Sequence, residues 1–145
     1  MFKISKEYNL DICGPSFLKK GKISYKITIH KLNTLLTYTN FVEVCVPLFN
    51  RTSLDNLMKK LDYSLIGWGI DYLYIICNGI EKKKSYAIIH KIVCVNPLDT
   101  NKGGKRELTN VLNCKDRIKI WNKFKRKHKL SDFVAKNYES IPLPL

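Results

Sequence analysis

Residues 64–95, SLIGWGIDYLYIICNGIEKKKSYAIIHKIVCV, decide how the chain folds. Ile70 to Cys77 is apolar except for Asp71, and it follows a glycine, so it reads as a mostly buried helix beginning at Gly69. After Asn78-Gly79 and a run of three lysines, SYAIIHKIVCV reads as a buried strand. A helix feeding a strand is the unit of an α/β sheet. Within that unit Asp71 is the anomaly, a lone carboxylate in an apolar run beside Gly67, Trp68 and Gly69.

The segments upstream extend the pattern. FVEVCVPLF at 41–49 is expected to be a strand ended by Pro47, and TSLDNLMKKLDYS then changes to helical spacing through Leu54, Leu57, Met58 and Leu61. Thr52 or Ser53 is its expected cap. KISYKITIHK at 22–31 alternates strictly, with Ile23, Tyr25, Ile27 and Ile29 on one side, and is expected to be a strand with a wet face that carries His30. Residues 2–8 suit a short helix leading into a strand at 10–13, which Gly14-Pro15 should break. His90 is expected to be a strand residue with a backbone partner.

Beyond residue 95, NPLDTNKGG at 96–104 is turn chemistry and is expected to be a surface loop. The tail then places Ile118, Trp121 and Phe124 among eight Lys and Arg residues between Lys115 and Lys129, the pattern of a basic amphipathic helix. The terminal IPLPL cannot continue a helix.

The 145 residues suffice for one core, and 45% apolar content argues for a folded chain. With no apolar run long enough to span a bilayer and no signal-like N-terminus, a soluble cytoplasmic protein is expected. Five scattered cysteines, with no C-x-x-C pair, read as mostly buried free thiols. The net charge of +14 invites a polyanion, but only four of the 26 basic residues are Arg, and abundant Lys, Asn and Ile suit an AT-rich coding sequence. The sequence has no P-loop, G-x-G-x-x-G, G-x-S-x-G, H-E-x-x-H or D-x-D motif.

Two blocks, YTNFVEVCVPLF at 38–49 and GWGIDY at 67–72, resemble the paired motifs of the nucleotide-diphospho-sugar-transferase-like family of plants and bacteria, some of whose plant members are named lysine-ketoglutarate reductase trans-splicing related. Ile4 to Leu10 and Pro15 are similar to that family's opening segment, and the resemblance spans about residues 2–107. It implies a mixed α/β sheet with flanking helices, the acceptor-side half of a glycosyltransferase A-type fold over residues 1–107. Residues 108–145 would form a basic helical extension packed on it.

The resemblance further implies an acceptor pocket of Trp68, Gly69, Glu43 and Asn40, with Asp71 as the base. An aromatic plate stacks on a sugar's apolar face, and a carboxylate takes the acceptor hydroxyl's proton. A helix start favours Asp71 as the anion, whereas desolvation beside Trp68 raises its basicity.

The chain begins where the family's metal-binding acidic run has ended, and it carries His90 and Asn96 where the family has an aspartate and then a histidine. The expectation is therefore a truncated or split protein, inactive alone. It would hold no cofactor by itself, and a divalent metal would be bound only if a separate chain supplied the missing half. A second chain or self-association would cover the exposed sheet edge. The alternative expectation is a non-enzymatic basic module that binds an anionic polymer or membrane surface, weakly and without sequence preference, through Lys123, Lys125, Arg126 and Lys127.

Overall fold

The computed structural model describes residues 1–102 and 110–144. It is an α/β structure with a five-stranded mixed sheet and flanking helices. The strands are β1 (Ile12–Phe17), β2 (Thr34–Thr39), β3 (Leu48–Phe49), β4 (Tyr86–Cys94) and β5 (Asn137–Pro142), in the order β3-β1-β4-β2-β5. The helices are α1 (Phe2–Glu7), α2 (Arg51–Met58), α3 (Ile70–Asn78) and α4 (Arg117–His128). β4 lies at the centre, parallel to β1 and antiparallel to β2.

The opening stretch forms the expected helix and strand, but only the first half of the strand is buried, Val93 being exposed. α3 starts after Gly69 and buries Leu73, Tyr74 and Ile75, and Tyr86 to His90 of β4 are buried without interruption. Gly69 is required twice. Its φ of +86° disfavours any side chain, and a Cβ there would stand 2.2 Å from the Trp121 ring. That contact seats α4 against the start of α3, so Trp121 and Phe124 share one core with Ile12, Val42, Leu73 and Tyr86. The expected boundary at 107/108 lies outside the described residues, as do Gly103 and Gly104 of the expected loop.

Several expectations are overturned. Gly14-Pro15 does not break the chain, because β1 runs buried through both residues. Pro15 brings no N–H to the ladder, and the pairing with β4 shifts register between Pro15 and Ser16 to accommodate it. Gly14 fits closely, since a Cβ there would meet Val42 Cγ1 at 3.0 Å.

Residues 22–31 form no strand. β3 covers β1 only at Ile12 and Cys13, and beyond it the segment meets β1 through a single bridge between Phe17 and Ile29. The segment instead closes a 3-10 turn at Lys26–Thr28, where the Thr28 hydroxyl donates to the Tyr25 carbonyl at 2.8 Å. His30 is not a free surface residue, since its Nδ1 lies 3.0 Å from Ser16 Oγ.

Residues 41–49 are mostly loop. Only Leu48 and Phe49 pair, with Cys13 and Ile12, while Val44 and Val46 stay exposed. The strand beside β4 comes from TLLTYT at 34–39, which the sequence reading did not identify. The α2 cap is Asn50, whose side-chain oxygen accepts from the Ser53 N–H at 2.8 Å.

The tail adds β5, an edge strand on β2 that ends in Pro142. The five cysteines form no disulfide with one another; only Cys13 and Cys114 are buried, and Cys45 is exposed. Among the described residues no helix is long and apolar enough to cross a membrane.

Candidate functional site

Asp71 occupies the first turn of α3, where its Oδ1 accepts the Tyr72 N–H at 3.1 Å. A helix start should keep a carboxyl acidic. Burial outweighs it: Asp71 is 4% exposed, and desolvation pushes its pKa up to about 6. A hydrogen bond from Tyr25 opposes that rise, and the charge of Glu43 adds to it.

Glu43 is itself buried, and its Oε1 accepts from Cys45 Sγ at 3.2 Å. Two carboxyl groups from distant segments thus share one buried environment. Around them stand Tyr25, Tyr72 and Tyr74, whose hydroxyls burial holds in the protonated form. The Tyr74 hydroxyl donates to the Val42 carbonyl, fixing the loop that carries Glu43. Rings of Tyr25, Phe41, Tyr72 and Phe133 make the wall, with successive centroids 4.4, 5.3 and 5.2 Å apart. The structure therefore brings Asp71 and Glu43 together.

The other residues singled out by sequence make other contacts. Trp68 stands 44% exposed, with the Arg117 guanidinium 5.9 Å from its ring centroid. Gly69 packs on Trp121. Asn40 is a clamp: its amide donates to the Val134 carbonyl at 3.0 Å and accepts from the Lys136 N–H at 2.7 Å, which ties the segment after α4 to the sheet.

Lys125 bonds Asp132 at 2.6 Å and lies over the Trp121 ring, and Lys127 is 3.9 Å from Asp62. Lys123 and Arg126 are exposed. Among the described residues no three His, Cys, Asp or Glu side chains are grouped so as to hold a metal ion.

Sequence reasoning missed Tyr25, Tyr72 and Arg117. Tyr25 was placed on a strand face by its alternation, and nothing near it in sequence signals the carboxyl it reaches.

A second buried polar group lies in β4. His90 accepts the Lys31 N–H through Nδ1 at 3.2 Å, the expected backbone partner, and its Nε2 lies 3.0 Å from Thr37 Oγ1. Accepting at Nδ1 places the proton on Nε2, so the ring is neutral. Burial, then Lys31 and His30, lower its pKa to about 4.

No family model, curated protein or solved structure matches this chain.

Proposed function

We propose that this chain carries the acceptor side of a glycosyltransferase-like saccharide site, with Asp71 as the base. The observation that supports it is the state of that carboxyl, buried beside Glu43 with a pKa of about 6. Such a group is mostly ionised at neutral pH yet a stronger base than an ordinary carboxylate. In this reading the acceptor hydroxyl takes the place of the Tyr25 hydroxyl that bonds Asp71. An acceptor displaces that hydroxyl and gives its own proton to Asp71 as its oxygen bonds the anomeric carbon of the donor sugar, whose bond to the diphosphate breaks, the nucleoside diphosphate leaving with the electron pair. Trp68 is exposed enough to stack on a sugar ring. The donor, with any divalent metal on its diphosphate, belongs in this reading to polypeptide outside these 145 residues, such as a second chain.

Ligand-observed NMR with an oligosaccharide panel tests the reading. The wild type should bind at least one saccharide at up to about 10 mM, equivalent to only about 3 kcal/mol. Trp68→Ala should abolish that binding. Asp71→Asn should keep it but lose a pH dependence centred near 6. Binding indifferent to Trp68→Ala, or no binding at all, overturns the reading.

A second reading is a polyanion-binding face on α4. It is supported by the exposure of Lys119, Lys123, Arg126 and Lys127, which recur along the helix at spacings that place them on one side. Lys125 contributes less, being engaged by Asp132. About three or four phosphate contacts on duplex DNA would give a log-log salt slope of roughly −3 to −4. A flat salt response would exclude this reading.

A further inference from the structure

The loop at 62–66 and helix α4 enclose a cleft of about 600 Å³, lined in part by Asp62, Tyr63, Ile66, Lys123, Phe124 and Lys127. That size suits a small ligand rather than a protein surface. Its floor is apolar at Phe124, and Tyr63 stands fully exposed at its rim. The charges in it are unequal. Two ammonium groups face one carboxylate, and that carboxylate is already committed, because Asp62 accepts from both the N–H and the hydroxyl of Ser64. Those bonds and Lys127 hold Asp62 ionised and satisfied within its own loop.

The Trp68–Arg117 pair continues the same two elements. Trp68 lies two residues beyond Ile66, and Arg117 precedes Ile120, another lining residue, by one helical step. Arg117 is preset, since its Nη1 donates to the Cys114 carbonyl at 3.2 Å, so less side-chain freedom is lost when it takes a ligand. A guanidinium beside an aromatic plate recognises an anionic group and a sugar face together.

We infer that the saccharide taken here is acidic, its ring on Trp68 or Tyr63 and its anionic group on Arg117, Lys123 and Lys127. The inference rests on the acceptor reading and adds the substrate class. A neutral sugar is held through its hydroxyls by carboxylates and amides, which accept and orient those groups. This cleft has such groups in Asp62 and Asn113 and adds the two ammonium groups of Lys123 and Lys127, which a neutral sugar does not need. Uronate, sulfate and phosphate share the required chemistry.

Calorimetry distinguishes them with five probes: trigalacturonate, a sulfated disaccharide, glucose 6-phosphate, inorganic phosphate and neutral maltotriose. At least one acidic sugar should bind about tenfold or more tighter than maltotriose and inorganic phosphate. Arg117→Gln, and Lys123→Gln with Lys127→Gln, should remove that advantage while circular dichroism stays unchanged. Arg117→Lys should restore part of it. Equal affinity for maltotriose overturns the acidic preference and leaves the acceptor reading standing. Equal affinity for inorganic phosphate shows an anion site that reads no sugar and overturns the inference. Acidic-sugar binding that survives Trp68→Ala and Arg117→Gln but falls with Arg126→Gln defeats both readings in favour of the outer face of α4.

Discussion

Asp71 and His90 are both buried titratable groups on elements that the sequence announced, yet the same desolvation leaves them in opposite conditions. His90 has a partner at each ring nitrogen, and its pKa falls to about 4, so it stays neutral and silent near pH 7. Asp71 shares its pocket with a second acid, and its pKa rises to about 6, so it changes charge close to neutrality. Burial removes charge from both. What differs is the sign of the charge that burial opposes: desolvation, the main cause at both, lowers the pKa of a base and raises that of an acid, with Glu43 adding only a small part at Asp71. The shift carries the midpoint of His90 away from neutrality and that of Asp71 toward it.

The strongest way to break the comparison is Gly69→Ala. The new Cβ meets Trp121 at a left-handed position, which should cost roughly 3 kcal/mol or more and unseat the start of α3. Urea unfolding would measure the loss. The NMR titration of His90 should be unchanged in the remaining folded protein, and a shifted His90 would show that the two sites are coupled.

Asp71→Asn comes next. Because the folded pKa is above the unfolded value of 3.8, the native state binds more protons between about pH 4 and 6. The stability from this group is present below pH 3.8 and lost as pH rises through 6. Asparagine cannot ionise, so the variant should be more stable than wild type at pH 7 by up to about 3 kcal/mol. A destabilised variant would mean that the carboxylate itself is needed by the fold.

His90 reverses the sign. Its folded pKa lies below 6.5, so its contribution is present above that value and lost as pH falls through 4, again up to roughly 3 kcal/mol. His90→Gln should lose about 1–2 kcal/mol at pH 7 and flatten the acid limb of the stability curve. An unchanged acid limb would place the acid sensitivity elsewhere.

Tyr25→Phe is gentler. It removes the hydrogen bond that restrains the Asp71 pKa, so the carboxyl's midpoint, followed by NMR, should move further up. A downward move would contradict the assigned bond. Trp68→Ala should change stability least, within about 0.5 kcal/mol in thermal unfolding, because the ring is 44% exposed.

The sequence by itself determined α1, α3, β4 and α4, together with the presence of Asp71 at a helix start. Each is written in local terms: a glycine before an apolar run, a β-rich run long enough to fill a central position, or two aromatics at helical spacing. It also carried both acids of the site, but not the fact that they meet.

Only the tertiary structure decided which runs became strands. Residues 22–31 alternate better than residues 34–39, yet it is the latter that pair with β4, while the former meet β1 only at the Phe17–Ile29 bridge. Gly14-Pro15 reads as a turn and lies inside a buried strand, since a register shift and a close approach to Val42 make those two residues fit. Asn40 became a clamp and Tyr25 a partner of Asp71 through contacts with segments remote in sequence. Periodicity states which face of a segment prefers to be dry, whereas ladder partners and the neighbours of a buried charge are settled by competition among segments, which only the assembled fold resolves.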